Sequence, residues 1–493
     1  MKLGAIVAIG SAMEVVSREG ALTILLKGGD DLLGDPLACV EIAGRSMTER
    51  TIERLIAAGV EIITVLITDQ SHKPAFRKRF SNVSVRIVDD MGASIRETLT
   101  DYASAEIEHC FISEADTYAE TDLLDLFYFH RESRQAVTGT YDRHGALALW
   151  VADCAKANEP GFEISLEQRR GSCASYFIRE YVNRLTHPRD LRQFAEDTLR
   201  GRCESRPSGK QIRPGVWIDE RAQVNRRARV VAPAYIGRGS EVKAEAVITR
   251  FSSIERGCCI DCGTVVEDSS VLTSTNVGIW LDVCHAVVSG RKLVSLDRDV
   301  AIEISDASIM RPGSECATNS ADSRNKRIES DIEFKHFTKE QPMPRFRQSD
   351  AISFPGVSQM SSKGPVIIME LPEQLKQREV KSFMRELQPL LDSPRPCVVL
   401  DCSKVQEIDS AGVEMLLECL ELAMKRDGDL KLAAVSPASA IILELMRVDR
   451  LFEVFDTSED ATRSFREFSP VAAPQNQPWY SAGYGLADLK TAN

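Results

Sequence analysis

From Ile212 the chain carries an aliphatic residue at every sixth position: Ile212, Ile218, Val224, Val230, Ile236, Val242, Ile248, Ile254, Ile260, Val266 and Leu272. Four residues after each of those from Ile218 to Val266 stands a small side chain: Ala222, Ala228, Ala234, Ser240, Ala246, Ser252, Cys258, Thr264 and Ser270. A helix repeats at about 3.6 residues and a strand at about 2, so neither yields this period. A solenoid does. Each face takes one hexapeptide, the aliphatic side chain points inward, and the small residue eases the corner. With three faces to a coil, the run predicts a hexapeptide β-helix of three to four coils over residues 206–307.

At 493 residues the chain is too long for one core, and several domains are expected. Residues 1–205 alternate between helical and strand patterns. In SMTERTIERLIAAGV (46–60), Ser46 and Glu49 form a capping box and Gly59 sits where a helix should stop. EIITVLIT (61–68) is a continuous apolar strand of the parallel-sheet kind. SVRIVDD (84–90), a helix around Ala93 to Tyr102 and the strand IEHCFIS (107–113) continue the rhythm. It predicts a doubly wound α/β sheet with its site at the carboxyl ends of the strands. Residues 308–362 are polar, with Pro and Ser spread through them, and read as a linker. A small α/β unit occupies 363–468, and 469–493 read as a disordered tail.

The net charge of −12 argues against nucleic acid, whose phosphates call for a basic surface. No run approaches the roughly twenty apolar residues that span a bilayer. Glu14 interrupts MKLGAIVAIGSAMEVV, which reads as a buried first strand rather than a signal peptide. The thirteen cysteines are odd in number and scattered, as suits reduced thiols in a cytosol. The expected location is cytoplasmic, with no membrane partner.

DPLACVEIAGRSMTERTIERLIAAGVEIITVLI and FISEADTYAETDLLDLFYFHRES resemble the sugar-phosphate nucleotidyltransferases (nucleotide-sugar pyrophosphorylases). YVNRLTHPRDLRQFAEDTLRG is similar to their connecting helix, and many of them carry a left-handed β-helix behind the catalytic domain. The resemblance covers roughly residues 1 to 300. It implies a Mg²⁺-dependent transfer joining a nucleoside triphosphate to a sugar 1-phosphate, with Asp116 at the metal position. The loop KGGDD (27–31) offers Gly28 and Gly29 to a nucleotide, with AIGSA (8–12) as the alternative. Other parts depart from the family. Leu37 falls at its lysine position and can neither neutralise nor donate to a phosphate, and Asp30 and Asp31 stand where its loop has an arginine. The N-terminal module therefore reads as a degenerate, non-catalytic sugar-nucleotide binder, with an active enzyme as the alternative. Cys258, Cys259 and Cys262 invite a metal reading, but Cys258 occupies a small-residue slot of the repeat and no second ligand pair has matching spacing. The adjacent arginines of EQRRGS (167–172) read as a solvated turn, and the seven His form no triad pattern.

In the last unit, VVLDCSKVQEIDSAGVEML and GDLKLAAVSPASAIILELMRVDRLFEVFDTSEDA resemble a STAS domain, the fold of bacterial anti-sigma factor antagonists. The resemblance implies that Ser410, with Asp409 before it and Gly412 closing the turn, is phosphorylated by a partner that is both serine kinase and anti-sigma factor. A hydroxyl at a helix N-terminus also caps it. A phosphate there gains from the exposed amides while adding about −1.5 to −2 charge to a binding face. The family's first strand leads into a Gly-Glu-Leu-Asp-like segment, where this chain has ELPEQLKQ (370–377) with Glu373 the nearest acid. Together these features predict a regulatory protein in which a linker tethers the STAS domain to a sensing body. The STAS role needs no cofactor, and the β-helix is a candidate surface for homo-oligomers.

Overall fold

The computed structural model describes residues 2–9, 39–69, 76, 80–114, 117–158, 174–313 and 366–466. Among the described residues, eight α-helices and several sheets make up a mixed α/β arrangement. In the N-terminal unit, Val83–Ile87, Ile62–Ile67, Leu3–Ile9 and His109–Glu114 lie side by side and parallel, in that order. Gly145–Asp153, Val137–Asp142 and Ala174–Phe177 extend the sheet to seven strands. Gly145–Asp153 runs antiparallel to both neighbours, so the sheet is mixed.

Leu3–Ile9 is buried along its whole length because both of its faces are covered. Ala5, Val7 and Ile9 pack with Ile52 and Leu55 of α1 (Met47–Ala57) and Leu126 of α3 (Leu123–Ser133). Ile6 and Ala8 pack with Leu99 and Tyr102 of α2 (Met91–Ser104) on the other face. At the start of α1, Ser46 accepts a hydrogen bond from the Glu49 amide at 3.1 Å, and the helix runs out at Ala58 and Gly59. A further helix, α4 (Pro188–Arg200), leads out of this unit. A His187–Asp190 capping box starts it and a left-handed Gly201 ends it.

The period-six segment folds into three parallel sheets of very short strands. Val216–Ile218, Ala234–Ile236 and Ser252–Ile254 stack on one side, with partners eighteen residues apart. Gln223–Val224, Glu241–Val242 and Cys259–Ile260 form the second side, and Arg229–Val230, Val247–Thr249 and Val265–Glu267 the third. Two of the aligned aliphatics fall outside this pattern. Ile212 lies on an antiparallel strand, Lys210–Arg213, with its side chain exposed. After Val266 the corner is one residue shorter, so Ile254 pairs with Val271 and Ile260 with Val277, seventeen residues on. Val271 thus takes the inward slot. Leu272 turns away to pack with Phe194 of α4, and Ser269 replaces Ser270 at the corner, accepting from the Ala286 amide.

The coil also ends later than 307. Met310–Pro312 pairs antiparallel with Thr275–Val277, which moves the start of the expected linker past residue 313. Residues 314–362 lie outside the described ones.

In the C-terminal unit, Val366–Glu370, Cys397–Asp401, Asp429–Ala433 and Glu453–Phe455 form a parallel sheet in that order. Val398, Leu400, Leu430 and Leu432 face α5 (Gln377–Leu391), α6 (Ser410–Met424) and α7 (Pro437–Leu445). Cys397, Val399 and Ala433 face Ala461 and Phe465 of α8 (Ser458–Arg466), a helix that the sequence reading leaves out. The C-terminal unit also packs against the period-six segment. The apolar core of the solenoid, including Leu281, Ile304 and Ile309, continues into Ile441 and Leu445 of α7 without a break.

Candidate functional site

The head of α6 is assembled from two strands that touch only briefly. Gln374–Leu375 pairs parallel with Glu407–Ile408, and the Glu373 carbonyl accepts the amides of Gln406 (2.8 Å) and Glu407 (3.3 Å). Side chains of ELPEQLKQ join in as well: Glu370 pairs with Lys404 at 2.6 Å, and Lys376 pairs with Glu407. The Asp409 amide donates to the Leu375 carbonyl at 3.2 Å, and its carboxylate accepts from the Gly412 amide at 2.9 Å. Asp409, not Ser410, is therefore the cap, and Ser410 is the first helical residue. Gly412 is required for a different reason from closing a turn. It lies inside the helix, and a Cβ there would stand 2.4 Å from the Leu375 carbonyl oxygen.

A second element lies over Ser410. The Ser410 amide donates to Asp306 Oδ2 at 3.0 Å, across 104 residues of chain. The other oxygen of Asp306 accepts from the Ser308 amide (2.8 Å) and hydroxyl (2.6 Å). Burial alone would raise this carboxyl's pKa, but the hydrogen bonds from Ser308 and Ser410 outweigh it and hold the pKa below the ordinary value. The positive end of the α6 dipole favours the same charged form.

Further contacts join the two units. Arg447, just past α7, donates to the carbonyls of Gly263 (3.1 Å) and Leu281 (3.0 Å), with Asp282 at 3.9 Å. Arg298 pairs with Glu444. Two strands of the solenoid, Asp282–Cys284 and Val300–Glu303, lie against α7.

The N-terminal candidates fare differently. The order of the parallel strands reverses between Leu3–Ile9 and His109–Glu114, and their carboxyl ends at Ile9 and Glu114 lead straight into undescribed chain. Gly28, Gly29, Leu37, Asp116 and EQRRGS (167–172) all lie outside the described residues. Beside these ends, a cavity of about 30 Å³ lined by Arg54, Ser113, Tyr118 and Leu149 has room for one water. Cys258 is buried in the solenoid core, Cys259 is half-buried and Cys262 is exposed. Among the described residues no group of three or more His, Cys, Asp or Glu is placed to hold a metal ion. His109 and His130 come together with ring centroids 5.3 Å apart, and His130 Nδ1 lies 2.8 Å from the Thr138 hydroxyl.

Sequence patterns miss three residues. Asp306, Arg447 and Glu255 all act on distant chain. Only Asp306 leaves a local trace, because Asp-Ala-Ser signals a side-chain-capped turn.

A family model described as "Mlab, STAS domain" matches residues 358–453. The C-terminal unit is a STAS domain, a class that typically mediates protein–protein contacts. No curated protein matches the chain. No helix among the described residues is long and apolar enough to cross a membrane.

Proposed function

We propose that this is a bacterial regulatory protein whose STAS domain binds a partner of the anti-sigma factor or serine-kinase type, with phosphorylation of Ser410 controlling the binding. One observation carries this reading. Ser410 stands at the head of α6, yet Asp409 does the capping, so the helix start does not depend on the Ser410 hydroxyl. A phosphate on that oxygen would be favoured by the helix dipole and would leave the fold in place. It would also change the charge of the face a partner meets. The unit before the STAS domain reads as a cytoplasmic sensing body, with a nucleotidyltransferase-like module that binds a sugar nucleotide without turnover and a left-handed β-helix. Leu37, Asp30 and Asp31 support the loss of turnover, since none can serve a triphosphate as the family's lysine and arginine do.

The test is mass spectrometry of the Ser410 peptide from the chain expressed in its own host. A phosphate on Ser410 is expected, together with a host protein whose retention differs between Ser410→Ala and the phosphorylated chain. No phosphate at Ser410 under any growth condition overturns the switch. For the sensing body, a sugar nucleotide should raise the thermal midpoint without releasing pyrophosphate, because binding to the folded state stabilises it by mass action.

A further inference from the structure

We infer that the STAS domain is held shut against the chain's own solenoid, and that Asp306 is the latch on Ser410. This rests on the regulatory reading above and adds a closed state to it. A partner that docks at the head of α6 must displace Asp306 first.

Three observations support the latch. The Asp306 carboxylate occupies the amide of the residue expected to carry the phosphate. Arg447, from the same STAS domain, donates to the Gly263 carbonyl and to the Leu281 carbonyl, which also accepts the Val265 amide. Between these two points, Ile304 and Ile309 of the solenoid and Ile441 and Leu445 of α7 share one apolar core. The open end of a solenoid exposes an apolar cross-section unless something caps it. Here the STAS domain is that cap.

The same geometry makes Ser410 phosphorylation an opening signal. A serine kinase would transfer the γ-phosphoryl group of ATP to Ser410 Oγ, with loss of the hydroxyl proton and release of ADP. The product carries about −1.5 to −2 charge on the residue whose amide Asp306 already accepts, and like charges so close repel. Ser410 is half-buried under Asp306, so the phosphate is added in transiently open molecules and then keeps them from reclosing.

The experiment is hydrogen–deuterium exchange on the full chain, comparing wild type, Asp306→Ala and a chain with phosphoserine incorporated at position 410 during translation. In wild type, the segments 300–310 and 437–447 should both be protected. In the phosphoserine chain and in Asp306→Ala they should exchange at least about fivefold faster, the effect expected for losing one partly solvated hydrogen bond. Protection of Leu3–Ile9 and Cys397–Asp401 reports that both domains remain folded. Combining the phosphoserine with Asp306→Asn should restore part of the protection, since it removes the repelling charge and keeps an acceptor. Wild-type exchange already as fast as Asp306→Ala overturns the latch. So does a phosphoserine chain as protected as wild type, even if host mass spectrometry finds phosphate on Ser410. Conversely, absence of that phosphate in the host would overturn the regulatory switch while leaving the closed contact intact.

Discussion

Two units contact the period-six segment, one giving two backbone amides to a carboxyl of that segment and the other giving one. At the N-terminal junction, the hairpin of Glu41–Ile42 and Arg45–Ser46 turns through Ala43 and Gly44, both at positive φ. Their amides donate to the two oxygens of Glu255 at 2.8 and 2.9 Å. Successive amides in this conformation make a small anion-binding nest. Gly44 is obligatory there, since a Cβ would stand 1.8 Å from the Ser208 hydroxyl. At the C-terminal junction, Asp306 receives the amide of Ser410.

The chemistry is alike and the outcome is opposite. Glu255 is fully buried, and that burial pushes its carboxyl pKa up to about 8 against the pull of the Gly44 and Ala43 amides. Asp306 is half-buried, and its hydrogen bonds win. Depth, more than the count of hydrogen bonds, thus sets which way each carboxyl's pKa moves, and under the proposed latch the deep joint is the fixed weld and the shallow one the separable contact.

Glu255→Ala should strike hardest. It leaves two buried amides without acceptors, a loss of about 2–5 kcal/mol that denaturant titration of the full chain would read. A loss below about 1 kcal/mol would mean that the N-terminal joint is no weld. Next comes Gly412→Ala, which forces a methyl against the Leu375 carbonyl. Overpacking of this kind costs about 1–3 kcal/mol and should appear only in the STAS transition.

The third prediction is a pH profile. Between its unfolded value of 4.5 and about 8, Glu255 binds its proton in the folded chain and not in the unfolded one. Stability from this group therefore falls as pH rises through that window, and Glu255→Gln should flatten the fall. His130 acts the other way, because burial holds its pKa down at about 4. Its contribution is complete above 6.5 and is lost as pH falls from 6.5 towards 4. Replacing His130 by Gln should reduce the acid-side loss and leave the alkaline side unchanged. Smallest in global terms is Asp306→Ala, expected to cost about 1 kcal/mol because the contact is partly solvated. A thermal shift as large as that of Glu255→Ala would erase the contrast between the junctions.

Much of the fold could be read along the chain wherever the controlling contacts are local. Ser46 receiving the Glu49 amide is a three-residue event, and IITVLI is buried from Ile63 onward because all its side chains but Thr64 are apolar and Thr64 has Tyr102 as a hydrogen-bond partner. The aliphatic and small positions from Ile218 to Val266 repeat because each coil must fill the same narrow interior. The repeat misleads only at its ends. Leu272 continues the arithmetic, but a corner shortened by one residue gives the inward place to Val271. A period cannot reveal such a slip when both neighbours are aliphatic.

The site was legible in part for the same reason. Asp-Ser-Ala-Gly between an apolar strand and an apolar helix marks the head of α6, and composition alone gives that stretch its turn-to-helix character. Which residue caps it was settled by backbone geometry, with Asp409 in the extended region and Ser410 already helical. Gly412 and Leu375 are 37 positions apart, and only the packing of strand on helix brings them into conflict with a side chain. The carboxylates that join the domains are more remote still. Glu255 lies 212 residues from Ala43 and Asp306 lies 104 from Ser410, with no pattern linking either pair. By itself, then, the sequence determined the elements, the solenoid's period and the place of the candidate switch, because propensity and burial act over a few residues. The tertiary structure alone decided that the switch lies under a carboxylate of the same chain, because partners that meet only after folding leave no spacing to read.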